Sequence, residues 1–401
     1  MVLPKILVVG DFMFFLGIDI AKNSHVASLI DSDGNILFKA FSFKNSVVGA
    51  SALINKINKF DKKTFHIGME ATGHYWLSLY SFLIENQYTV HVINPIQTDG
   101  WRKATEIRKR KTDIIDSLLI ADFIRFGDFK PSTLANEDYL SLRNLSRFRN
   151  YMVSSISDLK RKTICVLDQI FPEYQSVFSN IFGQTSKEIL INLSSPADFE
   201  SISTSMLEKI LNEISHKKFA SRKISEISSL AKNSFGISFC IDSMTLQLKL
   251  LIQQINFIEN QVKDIEEQII FIVDKINSPI ISIPGISYIT GAVILGEIGD
   301  INRFSNPSKI VAFAGIDASV SQSGNFQSTS SKMSKRGSPY LRKALFQAAL
   351  VASNCDPVFS AYYSKKRSEG KHHLTAVGAV ARKLCYTIYA ILKSNQPYRK
   401  Q

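Results

Sequence analysis

The stretch FFLGIDIAKNSHVASLIDSDGNILFKAFSF, residues 14–43, decides the fold of the first third of the chain. Its apolar and β-branched runs are separated by the turn signal DSDGN at 31–35, and they read as three short strands. TFHIGMEAT (64–72) reads as a fourth strand and YTVHVINP (88–95) as a fifth, while GHYWLSLYSFLIEN (73–86) between them has helical periodicity. Three strands followed by alternating helix and strand imply an α/β domain with a mixed sheet. It runs to about residue 130, where GDFKPST breaks the pattern.

Acids fall at telling places on this frame. Asp19 ends the first strand, in GIDIAK, and an acid in an apolar strand is costly unless it is paired or binds a cation. Glu70 ends the fourth, in GMEATG, with the small residues Ala71, Thr72 and Gly73 leaving room beside it. In RKRKTDIIDSLLIADFI (108–124), the basic run Arg108, Lys109, Arg110 and Lys111 meets Asp113 and Asp116, whose spacing puts them on one helical face. Taken singly, each acid is more often structural, and acids at a helix start offset its dipole. Together they favour a metal site. If the first and fourth strands are neighbours, Asp19 and Glu70 lie side by side, and a helix packed across the sheet adds the other two. Four convergent carboxylates need a cation, and oxygen-only ligands select Mg²⁺ or Mn²⁺. Two such ions about 4 Å apart clamp the attacking and leaving oxygens of a phosphodiester.

Length and charge agree with such a substrate. The 401 residues carry a net charge of +13, which points to a polyanion, nucleic acid first and an anionic membrane second. Cys165, Cys240, Cys355 and Cys385 are too far apart for a zinc site and read as reduced, buried thiols of a cytoplasmic protein. No apolar run is expected to reach the roughly 18 residues of a membrane helix. The opening MVLPKILVVGDFMFFLGIDIAKN is not read as an export signal, because Asp11 interrupts it and no small-residue cleavage site follows. Met13 is a candidate natural start.

Beyond the α/β domain the chain reads as helical. Residues 140–171 carry a basic side through Arg143, Arg147, Arg149, Lys160, Arg161 and Lys162. Residues 172–235 are Ser-rich with weak helical signals. From Ile241 to Ile276 apolar residues recur in steps of three and four, a heptad seam that predicts a coiled coil, pairing with another copy or folding back on the earlier helix. SPIISIPGISYITGAVILGEIGD (278–300) reads as two short helices joined at PGIS, a helix-hairpin-helix-like segment whose free N–H groups suit a phosphate if it is more than a plain hairpin. KIVAFAGI (309–316) leads into a serine-rich polar stretch, and the end of the chain is basic from Lys365 to Lys400 against the single acid Glu369. The expected division is 1–133, an α/β catalytic domain; 134–277, a helical coiled-coil region; and 278–401, a mostly helical C-terminal domain.

GIDIAK, MEATG, VINP and RKTD followed by IID resemble the RuvC-like domain of the DEDD transposases of the IS110 insertion-sequence family, which includes the Piv-like invertases. SIPGI, FAGI, SG and MSKRG followed by LR resemble that family's C-terminal transposase domain. The resemblance implies a RuvC/RNase H-like catalytic domain, with the four family acids on Asp19, Glu70, Asp113 and Asp116. It places the nucleophilic serine, in a Ser-Gly pair after the FAG strand, on Ser323. From residue types alone Ser323 is one hydroxyl among Ser319, Ser321, Ser328, Thr329, Ser330 and Ser331. The resemblance also implies double-stranded DNA as substrate, a structured bridge RNA as guide, and a homo-oligomer, dimer or tetramer, with active sites composed from two subunits. RNA binding would engage Arg143, Arg147, Lys160 and Arg161. Lys332, Lys335, Arg336 and Arg342 would face the DNA backbone. The chain departs from the family pattern at Ile316–Asp317–Ala318, at Ser287 and at Ser117, which concerns local loop shape. Two other readings fit part of the sequence. One is a Holliday-junction resolvase or nuclease using metal-activated water; the other is a non-catalytic nucleic-acid-binding assembly protein.

Overall fold

Asp31 closes the first turn by accepting hydrogen bonds from the backbone N–H of Asp33 (3.0 Å) and Asn35 (2.8 Å). It joins the second and third of three strands that follow the sequence reading: β1 (Phe14–Asp19), β2 (Ser24–Asp31) and β3 (Ile36–Lys44). Then come α1 (Val47–Ile57), β4 (Phe65–Glu70), α2 (Trp76–Glu85), β5 (Thr89–Ile93), α3 (Pro95–Thr105) and α4 (Asp113–Phe126). The computed structural model describes residues 13–105, 112–127, 136–215, 221–318, 322–323, 326–327 and 333–399, and the chain divides into two compact units, 1–134 and 135–401. Residues 1–12, the stretch upstream of the candidate start at Met13 that is not read as an export signal, lie outside the described residues.

The sheet of the first unit has the order β3-β2-β1-β4-β5. β1 pairs antiparallel with β2 and parallel with β4, and β4 pairs parallel with β5. Strand alternation splits the core between its two faces. Leu16, Ile18, Ile67 and Met69 are fully buried against Leu53 and Ile57 of α1 and Leu79 and Leu83 of α2. On the other face Phe15, Ile30 and Ile93 pack with Ile120, Ala121, Phe123 and Ile124 of α4.

Two glycines decide how close α4 comes. Gly17 and Gly68 are partners in the β1–β4 register. A Cβ on Gly17 would lie 2.0 Å from the Ser117 carbonyl oxygen and 2.4 Å from the Ala121 nitrogen. One on Gly68 would lie 3.0 Å from methyl groups of Ile120 and Ile124. Glycine weakens a strand but admits a second backbone at this distance. Ser28, the β2 partner of Gly17, hydrogen-bonds Ser117 through the two hydroxyls at 2.8 Å. Thr112 caps the start of α4 by accepting from the Ile115 N–H, and Gly127 ends it at φ +78°.

The second unit is helical: α5 (Glu137–Ile170), α6 (Gln184–Asn192), α7 (Pro196–Glu200), α8 (Thr204–Ser215), α9 (Ser221–Lys232), α10 (Ile241–Ile276), α11 (Tyr288–Ile298), α12 (Pro307–Ala314), the strand pair β6 (Gln322–Ser323) and β7 (Phe326–Gln327), α13 (Pro339–Cys355), α14 (Pro357–Ser368) and α15 (His373–Ser394). The heptad stretch is α10, and it folds back antiparallel on α5. Ion pairs Lys275–Asp138 (2.8 Å), Arg149–Glu266 (2.6 Å) and Lys160–Glu259 (3.1 Å) mark the run of the two helices. Leu248, Ile255, Val262 and Ile269 of the seam are buried within the chain. The weak signals at 172–235 are α6 to α9, which share a core with the end of α5 and the first part of α10 around Tyr174 and Phe171.

Four expectations need correction. FAG is the end of a helix, not a strand: Asn306 caps α12, Pro307 starts it, and Gly315 closes it at φ +65°, the pattern of a capped helix. PGIS joins a single 3-10 turn, Pro279–Ser282, to α11, rather than two helices. Gly285 in it packs against α13, since a Cβ there would meet the Ala348 carbonyl oxygen at 2.4 Å. Only Cys385 is buried; Cys165, Cys240 and Cys355 are exposed, on the outer side of α5 and at helix ends. Finally, α15 is long and apolar enough to cross a membrane by length and composition, though Val377, Val380, Leu384 and Ile388 belong to the core of the unit.

Gly17→Ala should destabilise the protein by about 1–3 kcal/mol, because the new methyl group meets backbone that cannot yield. Gly68→Ala, which meets side-chain methyl groups, should cost less. Urea unfolding of both variants checks the order, and an unchanged midpoint for Gly17→Ala would refute the close seating of α4.

Candidate active site

Ile18 pairs with Met69 across the parallel β1–β4 ladder, and Asp19 and Glu70 are the next residue on each strand. The two carboxylates therefore leave adjacent strand ends. α4 crosses the same face with its first turn toward those ends, and that turn carries Asp113, which is exposed, and Asp116, which is buried. Burial pushes the Asp19 carboxyl up to about 6, and the negative charges of Asp116, Asp113 and Glu70 push it in the same direction. The charges of the other three acids thus reach Asp19.

Arg102 of α3 places Nη2 2.9 Å from Asp116 Oδ1 and supplies a positive charge to this cluster. The donor set is all carboxylate and fits a hard divalent cation. Among the described residues, no three acidic, histidine or cysteine side chains are gathered around one ion position. Behind the acids, His66 Nδ1 and His91 Nε2 lie 3.0 Å apart on β4 and β5. Burial lowers both rings, and the neighbouring His66 helps to bring His91 down to about 4.

Ser323 lies in β6, opposite Phe326 of β7. The base of this loop is tied by backbone bonds: Ser334 N–H to Asp317 O (3.0 Å), Lys335 N–H to Gly315 O (3.0 Å) and Ser338 N–H to Phe313 O (2.8 Å). The FAGI and MSKRG motifs meet here. A Cβ on Gly337 would lie 2.0 Å from the Phe313 oxygen and 2.6 Å from the Gly315 nitrogen.

The basic candidates fall into three groups. Arg108, Lys109, Arg110, Lys111 and Lys332 lie outside the described residues. Arg147 donates to both oxygens of the buried Glu297, at 2.7 and 3.0 Å, and Arg143 stands 4.0 Å from it. Burial and the Arg147 charge lower the Arg143 guanidinium from its usual range. Lys160 pairs with Glu259, Arg161 with Asp158, and Arg342 donates to the Ala314 carbonyl. Lys335 and Arg336 have exposed side chains. The sequence reading passed over Arg102, Ser28 and Glu297. The glycines in FFLGID and HIGME were a usable sign of a close-packed helix. Nothing local marks Glu297, which is an ordinary helical acid until α5 and α13 close on it.

Carboxylates at the ends of adjacent parallel strands, coupled to a basic helical unit, suit the class of enzymes that cut and rejoin DNA. The comparisons identify the family. A model of DEDD transposases of the IS110 type matches residues 16–172, and a model described as Transposase IS116/IS110/IS902 family matches residues 277–364. The chain belongs to this family of transposases. It is 23% identical over 390 residues to the pilin gene-inverting protein of Moraxella lacunata and 24% over 390 residues to that of Moraxella bovis, covering 96% of this chain and 98% of each relative. The 44.8 kDa protein of insertion element IS116 from Streptomyces clavuligerus is 23% identical over 392 residues, with 95% of both chains covered.

Asp19→Asn should stabilise the metal-free protein near pH 7–8 by about 1 kcal/mol, a figure reduced for the partial exposure of the group. A carboxyl whose folded pKa is raised favours the folded state while protonated, and that contribution is lost as pH rises through about 6. The gain of the variant should therefore vanish toward pH 4. Mg²⁺ or Mn²⁺ should raise the melting temperature of the wild type and not of Asp19→Asn. Equal metal responses would remove Asp19 from the site.

Proposed function

We propose that this transposase holds Mg²⁺ or Mn²⁺ through Asp19, Glu70, Asp113 and Asp116 on a RuvC/RNase H-like domain (1–133), and uses Ser323 of its C-terminal transposase domain (278–401) as nucleophile. The observation that carries the reading is the placement of Asp19 and Glu70 at neighbouring strand ends on the face crossed by α4, whose first turn carries Asp113 and Asp116. The strand order β3-β2-β1-β4-β5, with acids at neighbouring strand ends, supports the RuvC-like assignment. When bound, the cation supplies charge neutralisation and polarises the scissile phosphate. Ser323 Oγ forms a bond to phosphorus as the bond to one bridging oxygen breaks. The serine proton passes to a carboxylate, which returns it to the departing DNA oxygen. Rejoining runs the same exchange backwards with a new DNA hydroxyl. Lys332, Lys335 and Arg336 offset charge on the phosphate.

An element-encoded bridge RNA is the proposed guide, a partner that the net charge of +13 favours. Of the basic residues of α5, Arg161 is open to it, with 76% of its side chain exposed. The 134–277 region is read as the assembly arm. With the heptad seam covered by α5, its outer face is the surface left for a second copy. Leu250, Phe257 and Phe271 are 49%, 64% and 66% exposed there and fall at multiples of seven.

Ser323→Ala should bind DNA and metal but leave no protein–DNA adduct after denaturation, whereas a stalled wild-type reaction should leave one. Cutting without any adduct would hand the function to the resolvase-like reading. Phe257→Glu with Phe271→Glu should lower the mass in solution measured by light scattering. An unchanged mass would take this face out of the assembly.

A further inference from the structure

Three clefts of the C-terminal unit share lining residues and so adjoin one another in series. The first, about 200 Å³, lies among α5, α11 and α13 and includes Arg147, Tyr340 and Lys343. The second, about 530 Å³, is bounded by Met333 and Lys335 at the loop base, by α13 and by α15; it includes Lys343 again, Phe346 and Arg382. The third, about 550 Å³, lies between α14 and α15 and includes Arg382 again, Lys383, Tyr362 and Tyr386. Lys343 joins the first cleft to the second, and Arg382 joins the second to the third.

The chemistry along this series is uniform. Each cleft offers cations and at least one aromatic ring. The acid among the described lining residues is Glu297, which is buried and held by Arg147. Tyr386 is 50% exposed, and Lys366 and Lys383 stand over the Tyr362 ring at 5.3 and 5.0 Å. Duplex DNA would use the cations alone, since its bases are stacked inside. Rings interleaved with cations address both the phosphate and the face of an unpaired base.

We infer that the three clefts form a track for an unpaired DNA strand, with Lys343, Arg382 and Lys383 on phosphates and Phe346 and Tyr386 against bases. DNA is chosen because the middle cleft opens at the base of the loop that carries Ser323, so the strand entering it is the one being processed. The inference rests on the proposed reading that this chain processes DNA at the loop carrying Ser323, but not on the metal site.

The test is fluorescence anisotropy of the full chain with a single-stranded DNA of about a dozen nucleotides, the same sequence as RNA, and the duplex, across a salt series. Lys343→Gln with Arg382→Gln should weaken single-stranded DNA binding roughly tenfold and reduce the salt slope by about 1.4, the share of two phosphate contacts. Tyr386→Ala should cost roughly tenfold on the single strand and leave the duplex unchanged, and Tyr386→Phe should bind as the wild type does. Thermal melts check that each variant folds; if Tyr386→Ala does not, Tyr386→Leu replaces it. Equal losses on the duplex with a silent Tyr386→Ala would overturn the inference in favour of a duplex backbone surface. Losses confined to RNA would overturn the choice of DNA, and no loss on any probe would remove the track. Ser323→Ala distinguishes the two readings: it should bind the single strand normally even though it forms no adduct.

Discussion

Helix α4 can rest on the sheet at backbone contact only because Gly17 and Gly68 stand side by side in neighbouring strands. Any side chain at Gly17 would lift the helix by more than an ångström. The first turn of α4 is the part that carries Asp113 and Asp116, so the same contact sets where those carboxylates stand relative to Asp19 and Glu70. The hydroxyl bond between Ser28 and Ser117 adds a polar tie beside the glycines. Ser117 is one of the positions at which the chain departs from its family pattern, and here its extra oxygen has a partner in the adjoining strand. Packing and chemistry are therefore one constraint in residues 1–134.

That constraint stores electrostatic cost. Asp19 sits in a field that favours its protonated form. His66 and His91, buried as a hydrogen-bonded pair in the same sheet, favour their neutral forms. The two effects oppose each other with pH. As pH falls from about 6 toward 4, protonation of Asp19 relieves repulsion, while the unfolded chain gains stability by protonating histidines that the folded sheet keeps neutral. A raised carboxylate and lowered histidines in one small unit leave an electrostatic burden that the cation proposed for this site would relieve.

Much of this was legible in the sequence. The five strands, their order of appearance and the helices between them follow from alternation and turn residues, because each signal is local. The acids were legible for the same reason: a carboxylate at the end of an apolar strand is conspicuous at once. What was not legible depended on contacts between distant segments. The heptads of α10 announce a partner but not which one, and α5 of the same chain satisfies them. KIVAFAGI is apolar enough to pass as a strand, and only its caps, Asn306 and Gly315, show it to be a helix. The basic side of α5 looked like one binding face, yet Arg147 and Lys160 turn to Glu297 and Glu259.

Glu297 shows why such a diversion is worth its cost. A carboxylate buried to 4% exposure must be fully compensated, and breaking one partner of such a group is far more costly than never burying it. Here Arg147 of α5 takes both oxygens, Ser338 at the cap of α13 donates to one of them at 2.8 Å, and Arg303 donates to the backbone carbonyl of Glu297 at 3.2 Å. One side chain thereby fixes three helices to one another. Ser338 follows directly on Gly337, which is pressed against Phe313 and Gly315, and these close the base of the loop that carries Ser323. The buried charge thus holds the segments around Gly315 and Gly337 in place, and the two motifs that looked independent in sequence, FAGI and MSKRG, are the two sides of a single glycine-to-glycine contact. The chemistry proposed for Ser323 would need such a fixed base, since attack by a serine depends on position more than on intrinsic reactivity.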